Sequence, residues 1–186
     1  MIKSICIFCG SSSTQGKQSS FKKKHGEIAR ELGKKLALRK IKIVYGGAKV
    51  GLMGLMVDEA LKNKGKVIGI AMKSFKNWGV LHQKISKMYL TNTLQKRKEL
   101  MYKKSDAFIV LPGGIGTIDE VFEVIATNIL TRSNKLLILL NYKKFWNKLI
   151  DLLDDNIKQK YSKKEIKNNI KVTTSIKEIF AILNKI

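Results

Sequence analysis

The sequence predicts an α/β fold with a doubly wound parallel sheet of about six or seven strands and helices on both faces. Short, nearly continuous apolar runs rich in β-branched residues recur along the chain, as in strands that are buried on both faces. Between these runs, apolar residues recur three or four positions apart, so that each segment carries one apolar stripe, as an amphipathic helix does. Strand and helix therefore alternate, and right-handed crossovers between successive strands build a parallel sheet.

The individual elements follow from these patterns in chain order. The spacing of His25, Leu32 and Leu36 indicates a helix after the first strand, and that of Leu149 and Leu153 indicates a helix near the end of the chain. Predicted strands are residues 5–8, 41–45, 67–71, 107–111 and 136–140, with shorter ones at 88–90 and 171–172, and further helices are predicted at 93–103 and 175–184.

Length and composition predict a single domain, residues 1–186. Hydrophobic residues make up 44% and charged residues 27% of the chain, close to the globular average, which excludes a disordered chain. The longest aliphatic stretch, residues 136–140, is far shorter than the roughly 18 apolar residues of a membrane span, and no signal peptide is recognisable. We therefore expect a cytoplasmic protein with no membrane partner.

The chain has 37 basic and 14 acidic residues, and its formal net charge of +23 suggests polyanion binding as one function. Almost all of the basic residues are lysines spread along the chain, whereas proteins that read nucleic acids favour arginine for its planar guanidinium. This pattern favours a solvated lysine coat without a specific nucleic-acid partner, which would still attract small anionic substrates. Polyanion binding stays open as an alternative, and it predicts a steep salt dependence.

Three loops rich in small residues follow predicted strands, at residues 9–13, 46–54 and 112–117. In a doubly wound sheet, ligands bind beyond the carboxyl ends of the strands, and a glycine-rich turn before a helix suits a phosphate group. Such turns also occur in any fold of this class, but three of them together favour a phosphate site. Residues 114–119 lack the third glycine of the dinucleotide pattern, and residues 10–18 depart from the Walker spacing, so a standard dehydrogenase or NTPase is excluded.

Two charged residues near these loops are candidates for chemistry. Thr117 and Glu120 have the spacing of a capping box, so the Glu120 carboxylate has a structural interpretation beside a catalytic one. Arg97 lies with Lys98 on the predicted helix 93–103, where lysine is the usual basic residue of this chain. An arginine at that position indicates a geometric requirement, although a surface salt bridge is the alternative.

Cys6 and Cys9 form a C-x-x-C pattern, which occurs in redox and metal sites. Side chains three residues apart on a strand point to opposite faces, and the chain has no second cysteine pair. We interpret the two residues as buried free thiols and predict no metal site.

The motifs taken together resemble the LONELY GUY family, the cytokinin riboside 5'-monophosphate phosphoribohydrolases that are often mislabelled lysine decarboxylases. The most specific of them is P-G-G-x-G-T-x-x-E at residues 112–120, preceded at the family's spacing by Arg97-Lys98. The other matching segments are Cys9-Gly10-Ser11-Ser12, residues 45–48 and 51–54, residues 67–69, and Asp106-Ala107-Phe108.

This resemblance implies a Rossmann-like domain, usually a homodimer, that hydrolyses a nucleoside 5'-monophosphate to free base and ribose 5-phosphate without a metal or organic cofactor. It implies that Glu120 stabilises the charge on the sugar and orients water, while Arg97 keeps that carboxylate ionised and aimed. Residues expected to bind the substrate, a purine nucleoside monophosphate, are Ser11, Ser12, Gly47, Met53, Lys98, Gly113, Gly114, Gly116 and Thr117.

The chain departs from the family at several positions around the base rather than at the phosphate loop. Among these are Ala48, Met72, Gln95 and Gly79, the last of which stands where many members have a substrate-contacting glutamate. The preferred nucleotide is therefore a prenylated adenine nucleotide or AMP itself. The rival function is a non-catalytic carrier of a nucleotide or of the molybdenum cofactor, and a lysine decarboxylase would need a pyridoxal phosphate lysine.

Overall fold

A computed structural model of the protein describes residues 2–11 and 20–186, and the side chains of 2–11 and 23–186. Every strand predicted from the sequence is confirmed, including the two short ones. The seven strands are β1 (Ser4–Phe8), β2 (Lys42–Tyr45), β3 (Val67–Met72), β4 (Lys87–Thr91), β5 (Ala107–Val110), β6 (Leu136–Leu140) and β7 (Ile170–Thr173).

All seven strands are parallel, in the order β4-β3-β2-β1-β5-β6-β7. The chain builds outward from β1 to β4 on one side, then returns to the centre and places β5 next to β1. This reversal brings the carboxyl ends of β1, β2 and β5 together in the middle of the sheet, where ligands bind in doubly wound folds. The fold class predicted from the sequence is therefore confirmed.

In the part of the chain that the structure describes, six α-helices cover the two faces of the sheet. The helices α1, α2 and α6 pack on one face, and α3, α4 and α5 pack on the other. Within the described residues, none of the helices is both long and apolar enough to span a membrane. Their bounds are α1 (Ser20–Leu38), α2 (Gly51–Lys62), α3 (Leu94–Lys103), α4 (Ile115–Leu130), α5 (Asn147–Lys158) and α6 (Ile176–Leu183).

The two cysteines of the C-x-x-C pattern lie on opposite sides of the sheet. Cys6 packs in the core beneath α3, α4 and α5, whereas Cys9 packs in the core beneath α1, α2 and α6. Both thiols are free and buried, and burial raises the pKa of each well above its ordinary value. Their interpretation as buried thiols is confirmed, and a raised pKa makes them poor nucleophiles.

Helix α1 ends with a lysine in the left-handed conformation. The Ile41 amide donates to the Leu36 carbonyl over 3.0 Å and the Lys40 amide to the Ala37 carbonyl over 2.9 Å, which is a Schellman ending. Lys40 has a φ of 58° and its side chain is exposed. Glycine usually occupies this position, because a side chain there costs about 1 kcal/mol or more.

We expect Lys40→Gly to raise the free energy of unfolding by about 0.5–1 kcal/mol, because glycine removes the left-handed strain at the end of the helix. Thermal unfolding measures the change as a gain of roughly 2–4 °C per kcal/mol for a chain of this size. Lys34→Gly, an exposed position inside the same helix, is the control and should lose about 1 kcal/mol. Equal losses in both variants would contradict the explanation.

Candidate active site

Three loops meet at the carboxyl edge of the central strands, as the sequence predicted. The Gly10 amide donates to the Pro112 carbonyl over 3.0 Å, which ties the loop after β1 to the loop after β5. The Leu52 amide donates to the Gly10 carbonyl over 3.0 Å, which ties the same loop to the first turn of α2. The three glycine-rich segments therefore form one connected surface.

Close backbone approach at this surface requires glycine at two positions. Gly51 has a φ of +62°, and a Cβ atom there would lie 2.7 Å from the carbonyl carbon of Ser11. A Cβ atom on Gly113 would collide with the Thr117 hydroxyl. The first glycine lets α2 begin against the β1 loop, and the second lets the β5 loop fold beneath the first turn of α4.

The first turn of α4 presents backbone amides to an open space. Gly114 is the N-cap residue, and its carbonyl accepts from the amides of Thr117 and Ile118 over 3.0 and 3.1 Å. The amides of Ile115 and Gly116 precede these and have no partner within a helix that starts at Ile115. A Cβ atom on Gly114 or Gly116 would meet nothing within 4 Å. This turn therefore has the open, amide-lined geometry that binds an anion.

The alternative of a capping box at residues 117–120 is wrong. Helix α4 begins at Ile115, which places Thr117 and Glu120 inside the helix instead of at its cap. Both side chains are buried, and the Glu120 carboxylate accepts a hydrogen bond from Arg97 Nη1 over 3.0 Å. The glycines allow the helix to start earlier, and a charged donor binds the carboxylate more strongly than a backbone amide does.

Arg97 is held on three sides. Its Nε donates to the Ile70 carbonyl at the end region of β3 over 2.9 Å, and its Nη1 binds Glu120. Its Nη2 faces Gly46, where a Cβ atom would approach to 2.5 Å. The residue is only 6% exposed, so the alternative of a surface salt bridge is wrong. Lysine cannot make these contacts, because they require a planar group with donors in several directions.

The pKa of Glu120 depends on two opposing effects. Burial raises the pKa of this carboxyl above its ordinary value, and the charge and hydrogen bond of Arg97 lower it without cancelling the effect of burial. The expectation that Arg97 keeps the carboxylate ionised is therefore correct in direction but incomplete. A carboxyl with a raised pKa can take up and release a proton closer to neutral pH.

Lys98 turns toward α4 instead of toward the open space. Its Nζ lies 2.9 Å from Asp119 Oδ1 and 2.9 Å from Glu123 Oε2, and its side chain is 14% exposed. Burial alone lowers the pKa of Lys98, but the hydrogen bonds to Glu123 and Asp119 outweigh burial and raise it. Asp119 and Glu123 were not predicted as part of the site, since their partner comes from a different helix.

The remaining predicted site residues lie around Arg97 and the β1 loop. Ser11 is exposed beside Gly51, and Ser12 lies outside the described residues. Met53 is buried, with its sulfur 3.2 Å from the position of a Cβ on Gly46, so it borders the same space as the Arg97 guanidinium. Gly47, with a φ of +86°, packs against β3 and β4 instead.

The segment before β4 holds the turn after β2 in place, which sequence reasoning missed. Lys49 and His82 donate their amides to the carbonyls of Val80 and Gly47 over 2.7 and 2.9 Å. The His82 ring lies 3.1 Å from Asp58 of α2. No local pattern marks these contacts, because their partners are 24 to 35 residues apart. Among the described residues, no three His, Cys, Asp or Glu side chains are grouped as metal ligands.

Comparison with known proteins identifies relatives over most of the chain. A family model described as possible lysine decarboxylase matches residues 53–183. A cytokinin riboside 5'-monophosphate phosphoribohydrolase of Rhodococcoides fascians is 36% identical over 153 residues, which are 82% of this chain and 74% of that protein. A protein of the same name from Arabidopsis thaliana is 36% identical over 178 residues, which are 95% and 80% of the two chains.

The fold also resembles that of a molybdenum cofactor binding protein from Rippkaea orientalis. The two structures align with a TM-score of 0.67 over 98% of this chain and 95% of the other, at 20% sequence identity. A likeness at this identity concerns the fold alone. On the family model and the identity to the curated relatives, the chain belongs to the LONELY GUY family.

Proposed function

We propose that the protein hydrolyses the N-glycosidic bond of a purine nucleoside 5'-monophosphate, a cytokinin riboside monophosphate or AMP, to free base and ribose 5-phosphate. The observation that carries this proposal is the buried Arg97–Glu120 pair next to the amide-lined first turn of α4. The names of the curated relatives describe the same reaction. The pair supplies a group for the reacting sugar, and the turn supplies a site for the phosphate.

The phosphate binds at the first turn of α4 in this proposal. The free amides of Ile115 and Gly116 and the positive end of the helix dipole attract an anion, and the open side of Gly114 gives access to them. Thr117 is buried behind this turn. The proposed phosphate loop is Gly113, Gly114, Gly116 and Thr117, with Ser11 and Ser12, and further substrate contacts are proposed at Gly47 and Met53.

Glu120 acts on the sugar. Cleavage of the glycosidic bond develops positive charge on the sugar ring, and a nearby carboxylate stabilises that charge and orients or deprotonates the attacking water. The raised pKa of Glu120 suits a group that accepts the proton of this water. Arg97 orients the Glu120 carboxylate, because the hydrogen bond to the Ile70 carbonyl fixes the Arg97 guanidinium in place.

The carrier function and the decarboxylase function both fit the site less well. A carrier of the same fold has no need of a carboxylate held in a buried ion pair beside the anion site. A pyridoxal enzyme needs a lysine that loses its proton to form a Schiff base, whereas the carboxylates of Glu123 and Asp119 raise the pKa of Lys98. The residues present therefore do not fit pyridoxal phosphate at Lys98.

The base pocket differs from the family pattern in its backbone as well as in its side chains. Gly79 has a φ of +62°, a conformation that glutamate rarely adopts. It lines a cavity of about 550 Å³ with Met88 and Leu90 of β4. Gly79 has no side chain, so it cannot make the substrate contact that the glutamate at this position makes in many members of the family. We therefore propose no preference between AMP and a prenylated nucleotide.

We also propose that the protein is a homodimer formed through α4. The outer face of this helix carries the exposed apolar residues Ile115, Phe122, Ile129 and Leu130, and these recur at helical spacing. An apolar stripe of this length on a surface helix indicates an interface with a second copy. The single domain of residues 1–186 and the cytoplasmic location stay predictions, and the two buried free thiols fit a reducing compartment.

Two substitutions test the role of the Arg97–Glu120 ion pair. Glu120→Gln and Arg97→Lys should each lower the release of free base from AMP and isopentenyl-AMP by about 10²–10⁴-fold, the usual effect of a positioned acid or base. Chromatography of the products measures the rate, and calorimetry should show retained nucleotide binding. Glu99→Gln, an exposed acid on α3, is the control and should be fully active. Binding of both nucleotides by the wild-type protein without any cleavage would favour the carrier function.

A pair of glycine variants tests the phosphate site. Gly116→Ala should keep or raise the thermal midpoint, since its methyl group meets nothing within 4 Å, but should raise KM for AMP roughly tenfold by occupying the anion space. Gly113→Ala should instead lower stability by about 1–3 kcal/mol, because its methyl group collides with Thr117. An unchanged KM in Gly116→Ala would place the phosphate elsewhere.

The proposed dimer is tested by a charge on the α4 stripe. Ile129→Glu should halve the mass measured by light scattering, because a buried carboxylate without a partner opposes association. Leu38→Glu, at an apolar position on α1 that is 62% exposed, against 52% for Ile129, and that lies at the other face of the sheet, should leave the mass unchanged. A wild-type mass of one chain would reject the dimer.

A further inference from the structure

We infer that Lys98 is a positioning residue that acts on the reaction through α4, by neutralising and holding the carboxylates of Asp119 and Glu123 around Glu120. This inference rests on the proposed function, because it concerns how Glu120 performs its task. It differs from the substrate-binding role that the sequence suggested for Lys98. The contacts of the ammonium group, its direction and the charges around Glu120 carry the inference.

The ammonium group of Lys98 is occupied by α4. Its Nζ lies 2.9 Å from a carboxylate oxygen of Asp119 and 2.9 Å from one of Glu123. Two of its three possible donors are therefore used within the protein. The stem is largely buried, whereas the two carboxylates are 45% and 36% exposed, so the ion pairs lie at the outer edge of the contact between α3 and α4.

Arg97 and Lys98 together fix α4 relative to α3. Consecutive side chains on a helix point about 100° apart. Two such side chains can both contact one neighbouring helix only if they lie on opposite sides of the line along which the two helices touch. Arg97 binds Glu120 on the buried side, and Lys98 binds Asp119 and Glu123 on the outer side. The bound residues span one turn of α4, and together they restrict its rotation. Loss of Lys98 therefore makes the orientation of the Glu120 carboxylate less well fixed, although no group that contacts Glu120 is removed.

The charged and titratable groups around Glu120 determine the direction in which its pKa shifts. From α3, the charges of Arg97 and Lys98 lower the pKa of Glu120, while Asp119 on its own helix raises it. From β1 and the loop after it, the thiols of Cys6 and Cys9 are near enough for the Glu120 charge to raise the pKa of each. Removing the Lys98 charge also frees the negative charges of Asp119 and Glu123. The pKa of Glu120 must then rise further.

The test combines three variants. Lys98→Met should move the acid limb of the pH profile of kcat/KM to higher pH by about one unit. At a pH below this limb, the shift is a roughly tenfold loss of activity. KM for AMP should change little. Asp119→Asn with Glu123→Gln, in which Lys98 is left unopposed, should move the limb to lower pH. The triple variant with all three changes should return the limb toward that of the wild-type protein.

Two further measurements separate this inference from a structural role and from the proposed function. The titration of the Glu120 carboxyl can be followed by infrared spectroscopy, as the difference between each variant and the same variant with Glu120→Gln. In the ligand-free protein, the pKa obtained in this way should shift in the same direction as the acid limb. Lys103→Met, which removes the exposed Lys103–Glu99 pair on α3, is the matched control and should shift neither the titration nor the limb.

Unchanged titration of Glu120 in both Lys98→Met and the Asp119, Glu123 double variant would overturn the inference. A tenfold rise in KM for AMP that persists in the triple variant would overturn it as well, since Lys98 would then bind the substrate. If Lys98→Met does not fold, the comparison of the other two variants decides the outcome: the double variant should shift the limb to lower pH, and the added Lys98→Met change in the triple variant should reverse that shift. A wild-type protein that releases no base would reject the proposed function, while the titration would still test the effect of Lys98.

Discussion

The buried ion pair between Arg97 and Glu120 is the interaction on which the rest of the site depends. A charged pair at this depth loses its hydration, and it persists only where the remaining donors and acceptors are also satisfied. The Ile70 carbonyl takes one donor of Arg97, and Gly46 leaves the space that the guanidinium needs. Loss of either residue would leave a buried charge without its partner, at a cost of about 3–5 kcal/mol. The pair therefore constrains the elements that surround it, which are strand β3, the turn after β2 and helices α3 and α4.

The topology of the sheet explains why these parts meet. Strands β1 and β5 are neighbours although about a hundred residues separate them, and their following loops are bonded through Gly10 and Pro112. The same edge receives the glycine-rich turn after β2 and the first turn of α4. A fold that reverses direction at its centre therefore brings an anion site, which is built from backbone, next to an acid that is carried by a helix.

The sequence predicts the strands and the meeting of the glycine-rich loops well, because both depend on local patterns, whereas phosphate binding at those loops stays a prediction. Continuous apolar runs indicate strands buried on both faces, and clustered glycines indicate close turns. The role of Glu120 is harder to predict, since the same spacing from Thr117 also fits a capping box. What decides between the two is the distant donor Arg97, and the direction of Lys98 likewise depends on Asp119 and Glu123 of another helix. Contacts of this kind follow from tertiary packing and leave no local pattern.

The charge of the site is opposite in sign to that of the whole protein. Two cations, Arg97 and Lys98, face three carboxylates of α4, so this cluster has a formal charge of −1 in a chain of +23. In the proposed complex, the lysine coat would attract an anionic nucleotide, and the amides of α4 would bind its phosphate without a further cation beside the sugar. A lysine in place of those amides would repel the positive charge that develops during glycosidic cleavage. The proposed binding of phosphate through backbone amides would therefore leave Arg97 as the one cation in direct contact with the Glu120 carboxylate among the described residues.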